Sequence, residues 1–347
     1  MTATLDIVSI GMVTAVGLDA PSACAAMRAR LDGFQETRFL GPDRDWLVGA
    51  PVPLPRNWIG EKRLAHMAAA AICEAMDPVP EARGTAAVIL CLAEENRPGR
   101  LARDPSRLAA RIAEITGFAS PHRTRVVAHG RPSGHVALEQ ARRMLADRTC
   151  PYVMICGVDS YLTALTITHY FSKLRLLTPY NPNGFIPGEA AAAILCARPN
   201  SSGTLRLIGL GLAREQAYIY NEADLPLRGD GMTAAYRLAL DEASVDLAHV
   251  EYRISDLIGE SYWFKQSALA HMRLERGRKE FQDIWSPGEN MGNVGAAVVP
   301  LMLGMALAAV AKGYAMGSPV LIEASGDDGA CGAAVLHEVR AAAARAA

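Results

Sequence analysis

The sequence predicts an α/β protein made of two similar halves, and three observations predict it. Short apolar runs alternate with helical patterns along all 347 residues. Some of these runs, such as "AVILC" (87–91) and "YVMIC" (152–156), are apolar at every position. Such runs mark strands covered on both faces, as in a mostly parallel sheet flanked by helices. The alternation then begins again after the Pro/Asn/Ser-rich "CARPNSSGTLR" (196–206), the expected seam of an internal duplication.

Taken in order, "DIVSIGMVT" (6–14) reads as a strand and "APSACAAMRARL" (20–31) as a helix. "KRLAHMAAAAICEAM" (62–76) is rich in the best helix formers, and "GTAAVILCLAE" (84–94) is a buried strand. "PSRLAARIAEITG" (105–117) has proline inside its start and glycine at its end, which bounds a helix. "TRVVAHG" (124–130) is a strand, "SGHVALEQARRMLAD" (133–147) a helix, and "CPYVMICGVDS" (150–160) an apolar strand ending in a turn. The second half offers "TLRLIGLGLA" (204–213), the helix "GMTAAYRLALDEASV" (231–245) and the strand "VEYRISDLIGE" (250–260). A long buried helix from about 294 and the strands "PVLIEASG" (319–326) and "GAAVLHEV" (332–339) complete it.

Composition excludes several classes of function. Basic and acidic residues balance at 35 to 36, so nothing points to nucleic acid or an anionic membrane as partner. The segment "VGAAVVPLMLGMALAAVAKGYAMGSPVLI" (294–322) is interrupted by Lys312 and glycines. Its uninterrupted apolar part falls short of the roughly 20 residues that cross a bilayer, and it reads as the centre of a large core. Seven cysteines are dispersed without a CxxC pair, and the first residues lack the features of a secretory signal. The expectation is a protein with reduced thiols in the cytoplasm. No metal cluster, phosphate-binding glycine loop or redox dithiol is present, so no cofactor is expected.

The stretch with most chemical content is "RVVAHGRPSGHVALEQARRML" (125–145), a strand, a glycine-bearing turn and a helix. Such an elbow normally exposes a nucleophile, and here it carries Arg131. Ser133 lies two positions on with no evident base, and His129 and His135 read as ordinary polar residues around the turn. Cys156 at the end of its apolar strand reads as a small apolar side chain.

Five segments in order resemble the β-ketoacyl synthases of the thiolase superfamily. They are "VSIGMVTAVGLDAPSACAAMRA" (8–29), "NGFIPGEAAAAIL" (183–195), "MTAAYRLALDEASVDLAHVEYRISD" (232–256), "MGNVGAAVVPLMLGMALAAVAKG" (291–313) and "SGDDGACGAAVL" (325–336). The resemblance implies a thiolase-like fold, two duplicated halves stacked as five layers α-β-α-β-α. The halves are an N-terminal one over 1–200 and a C-terminal one over 201–347. It also implies a site. Decarboxylative condensation needs a thiolate for the acyl chain, an oxyanion hole, and two imidazoles for the malonyl-derived enolate. At the four matching positions this chain has Arg131 for the cysteine, Ile258 and Asn293 for the two histidines, and Gly288 for a lysine. A guanidinium is no nucleophile, isoleucine forms no hydrogen bond, and asparagine exchanges no proton near neutral pH. Glu189 matches a position whose carboxylate is structural in the resembling proteins.

Arg131 sits at a helix start, where a cation is disfavoured, and if it points into the former acyl pocket it needs an anion; the alternative is that it bends outward to solvent or waits for an acidic ligand. The candidates are Asp327 and Asp328, where the resemblance has a glycine-rich gate, and then Glu260; together they would plug the site. The stretch 261–287, with Tyr262, Trp263, Phe264, Phe281 and Trp285 among basic residues, reads either as a binding surface or as a helix covering the pocket.

The leading expectation is a catalytically inactive binding or adaptor protein. The motifs resemble thiolase-like proteins found beside type VI secretion effectors and their adaptors, so an effector or adaptor is the expected partner. The competing readings are a silent subunit of a β-ketoacyl synthase, with a partner ketosynthase and acyl carrier protein, and an acyltransferase with a non-standard active site. A homodimer is expected, pairing through the strand around 151–157.

Overall fold

The computed structural model describes residues 4–42, 44–118, 124–199, 204–277 and 282–339. The chain opens with β1 (Leu5–Val13) and α1 (Ala20–Arg28), then a small hairpin of β2 (Gln35–Leu40) and β3 (Trp46–Gly49). α2 (Gly60–Met76), β4 (Ala87–Cys91), α3 (Pro105–Thr116) and β5 (Arg125–Val127) follow. α4 (Ser133–Ala146), β6 (Tyr152–Ser160), α5 (Ala164–Ser172) and β7 (Glu189–Ala197) end the first series. The second begins with β8 (Leu205–Arg214), α6 (Asp230–Ala243), β9 (Tyr252–Ser255) and α7 (Ser261–Leu274). It closes with β10 (Asp283–Trp285), the short α8 (Gly288–Met291), α9 (Val298–Ala311), β11 (Val320–Ser325) and β12 (Ala330–Glu338). Side chains set several helix starts. The Asp19 carboxylate accepts from the Ser22 N–H at 2.7 Å, and the Asp104 carboxylate accepts from the N–H groups of Ser106 and Arg107, each cap being worth about 1 kcal/mol.

Among the described residues, ten strands form one sheet in the order β10-β9-β11-β12-β8-β1-β7-β6-β4-β5. Read outward from the β1/β8 junction, each series places its own first, fifth, fourth, second and third strands in turn. Orientations repeat too: β1/β7 and β7/β6 are antiparallel and β6/β4 and β4/β5 parallel, matched by β8/β12, β12/β11, β11/β9 and β9/β10. The sheet is therefore mixed, where a mostly parallel one was expected. The β11–β12 link shows why: a tight turn over Gly326–Gly329 is far too short for the crossover that parallel strands need.

Within the sheet, among the described residues, the two series pair through Leu5–Ile7 against Leu205–Leu207. The sheet folds over α4 and α9, which fill the space between its two parts. α9 is buried through Ala309 and touches β1, β6 and β7 on one side and β11 on the other, so its unbroken apolar surface has neighbours all round. α2 and α3 cover the outer face of the first series, and α6 and α7 that of the second, giving five layers. None of the described helices is long and apolar enough to cross a membrane.

This order corrects the expected dimer strand. β6, which holds 152–157, is paired on both sides by β7 and β4 and offers no free edge. Among the described residues, the free edge of the first series is β5.

Candidate functional site

β5 delivers the chain to the elbow, where Gly130 adopts φ +62°. That left-handed backbone favours glycine, and a Cβ there would also lie 1.9 Å from a Glu94 carboxylate oxygen, so the Glu94 side chain would have to move aside. Ser133 opens α4 and its hydroxyl accepts from the His129 N–H at 2.9 Å, a turn-closing role with no base beside it. His135 is fully buried, with Nε2 3.2 Å from the Ile322 carbonyl, and burial lowers its pKa to about 4. It packs as a neutral ring.

Arg131, at the tip, points inward and is 1% exposed. Its Nη1 lies 3.0 Å from Asp256 Oδ2 and donates more weakly to the Asp256 carbonyl at 3.3 Å. Its Nη2 is 3.9 Å from Asp327 Oδ1, within ion-pair range though too long for a hydrogen bond. Its Cζ stands 3.9 Å over the ring of Trp263, where a desolvated cation gains on the order of 2 kcal/mol. A second buried arginine, Arg175, extends the assembly. It grips Glu260 through Nε and Nη2 at 2.6 and 2.7 Å, and its Nη1 reaches Asp327 Oδ2 at 2.6 Å and the Tyr220 hydroxyl at 2.7 Å. Glu260 also accepts from Trp263 Nε1 at 2.9 Å, and Asp327 from the Tyr170 hydroxyl at 3.2 Å.

Two guanidiniums thus share three carboxylates, and the carboxylates differ. Burial pushes Asp256 up to about 6, against the attraction of Arg131 and a hydrogen bond from the Ser325 N–H. Burial also raises Asp327, but Arg175, its hydrogen bonds and Arg131 outweigh that and hold the group below its ordinary value. Nearby, Arg97 pairs with Asp159, and burial raises Glu94.

Of the expected plug, Asp327 stands by Arg131. Asp328 does not: its side chain is 42% exposed and faces Arg214 at 3.9 Å. Glu260 serves Arg175 instead, because α7 begins one residue later and turns its carboxylate toward that guanidinium. Asp256, at the end of β9 and two residues before Ile258, takes the nearest place and was not singled out in the sequence; nor was Arg175. An acid directly after the short strand Tyr252–Ser255 was the available signal for Asp256, since strand ends are where sites of α/β proteins collect.

The other expected positions are occupied structurally. Ile258 is buried with Trp263, Tyr161 and Phe185. Asn293 spends its Oδ1 on the Gly295 N–H at 3.0 Å, while its backbone bonds Ile186 and Gly188. Gly288 has the Leu257 carbonyl 2.2 Å from where a Cβ would be, so no lysine fits there. Glu189 is locked by Arg63, the Val52 N–H and the Ser160 hydroxyl. Cys156 is buried in β6 with its pKa pushed up to about 12. In 261–287, Trp263 is core, Tyr262 is half-buried and donates to the Ala217 carbonyl, and Phe264 is 49% exposed. Phe281 lies outside the described residues. Part of that stretch is therefore cover, laid directly over Arg131.

Residues 85–200 match the family model described as "Beta-ketoacyl synthase, N-terminal domain". Similar solved structures include a type II polyketide ketosynthase in complex with its acyl-carrier protein, with TM-score 0.79 and 14% identity over 97% of this chain and 100% of that one. The ketosynthase from module 6 of the bacillaene synthase from Bacillus subtilis gives 0.76 and 12%, over 97% and 72%. A ketosynthase in complex with its chain length factor from Xenorhabdus doucetiae gives 0.75 and 14%, over 97% and 98%. No curated protein sequence matches the chain. With these likenesses spanning nearly its whole length, the chain has the ketosynthase, thiolase-like fold.

Proposed function

We propose that this chain is a ketosynthase-fold protein that performs no condensation and acts by binding another protein. The observation that carries the reading is the buried Arg131–Asp256 pair at the elbow, roofed by Trp263. A permanent cation stands where the acyl group would be held, and Ile258 and Asn293 supply no proton transfer. The partner we propose, on the sequence resemblance, is a type VI secretion effector or its adaptor, met in the cytoplasm. The chain itself pairs as a homodimer along the free β5 edge. A second reading, a silent subunit bound to an active ketosynthase, is favoured by the likeness to a ketosynthase solved with its chain length factor.

The test is to purify the tagged full chain from its native host and identify what co-elutes at fixed stoichiometry. An effector or secretion adaptor supports the first reading, and a ketosynthase with its acyl carrier protein the second. Condensing activity of the purified chain on acyl and malonyl thioesters overturns both.

A further inference from the structure

The end of α1, β10, α8 and the far part of α9 line a partly open cavity of about 420 Å³, with Arg28 and Arg30 exposed, within the roughly 300–1,000 Å³ typical of small-molecule sites. It shares no side chain with the Arg131 network. Met27 and Met305 form a buried apolar floor of flexible, polarisable side chains that adapt to a ligand's shape. Trp285 and Tyr314, their ring centroids 6.2 Å apart, supply aromatic walls. Two arginines complete the lining. The Arg28 guanidinium lies 4.5 Å over the Tyr314 ring, which fixes it at the cavity without neutralising it. Neither Arg28 nor Arg30 forms an ion pair among the described residues, although Glu289 lines the same cavity.

The backbone at Arg30 is a second, independent observation. α1 ends in a paired-bond cap, with Leu31 N–H donating to the Ala26 carbonyl at 2.9 Å and Arg30 N–H to the Met27 carbonyl at 3.0 Å. The residue at that cap takes the left-handed conformation that favours glycine, and here it is Arg30 at φ +55°. A side chain kept where the backbone prefers none points to a role for that side chain.

We propose that this cavity binds a small amphipathic anion. An apolar chain or ring lies on the methionines between the aromatic walls, and a single carboxylate is held by Arg28 and Arg30, whose planar forks match carboxylate geometry. The inference does not depend on whether the elbow is catalytic.

The test uses the full chain carrying ¹³C-methyl methionine, titrated with decanoate and, separately, with decyltrimethylammonium, which has the same tail and the opposite charge. Decanoate is expected to shift the Met27, Met305 and Met316 methyls saturably at one per chain, and to bind at least tenfold more tightly than the cation. Arg30→Gly suits the cap and should leave the melting temperature unchanged or higher, yet weaken decanoate at least fivefold; Arg28→Ala should do the same to binding. Equal binding of the two amphiphiles, shifts spread over the other methionines, or unchanged decanoate affinity in the Arg28→Ala, Arg30→Gly double variant would each overturn the proposal.

Discussion

Asp256 and Arg131 show how a site can be closed by charge. Removing one member of a buried pair strands the other, which costs about 3–5 kcal/mol. Arg131→Cys, which restores the nucleophile of the resemblance, is therefore expected to lose about that much stability and to gain no condensing activity, read by urea unfolding and by CO₂ release from malonyl thioester. The pH dependence has a definite sign. Asp256 ionises near 6 in the folded protein against an ordinary 3.8. Between those values the folded state holds a proton that the unfolded chain has lost, so the carboxyl's contribution to stability falls as pH rises, by at most about 1.4 kcal/mol per unit. Asp256→Asn removes that dependence. The stability gap between wild type and variant should narrow from pH 4 to pH 6, and a gap that widens would refute the raised value. Arg131 was legible as an anomaly because one residue type in one motif position is enough to see it. Its partner was not, because Asp256 lies 125 residues away and only the packing of β9 beside the elbow brings the two together. Asp328 illustrates the converse: adjacent in sequence to Asp327, it faces the opposite way across the same turn.

Elements were legible where the apolar period is strong. α2, α3, α4, β6 and β11 fall within two residues of their expected spans, since continuous apolar runs and capped amphipathic patterns are local signals. The β2–β3 hairpin and the three-residue β10 were not expected, because exposed or very short strands carry little periodic signal. Nor does a run of apolar residues state its direction, so β7 and β12 were not distinguishable from parallel strands. α8 is fixed by close approach rather than by pattern. Gly288→Ala puts a methyl group against the Leu257 carbonyl and is expected to cost roughly 2–4 kcal/mol, a strain-type loss read as a lower urea midpoint. A midpoint unchanged within error would mean that the loop carrying Leu257 and Ile258 moves aside freely.

The repeated strand order is folded over α4 and α9, and among the described residues the sheet has two edges, β5 and β10. β5 is three residues long and Val126 is 39% exposed there, so pairing across a twofold axis would satisfy an otherwise open edge. Sedimentation should show a homodimer at micromolar concentration, and Val126→Lys should shift it to monomer; a wild-type monomer would remove the edge argument. Fold class was readable at this scale because five motifs in order constrain a chain more than any one does, whereas their chemistry rests on four single positions. The most direct measurement of the central claim is the intact mass of the whole protein after incubation with acyl and malonyl thioesters at neutral pH. With Arg131 filling the elbow and Cys156 held protonated in β6, the mass is expected to stay that of the unmodified chain; one stoichiometric acyl adduct per chain would contradict the account.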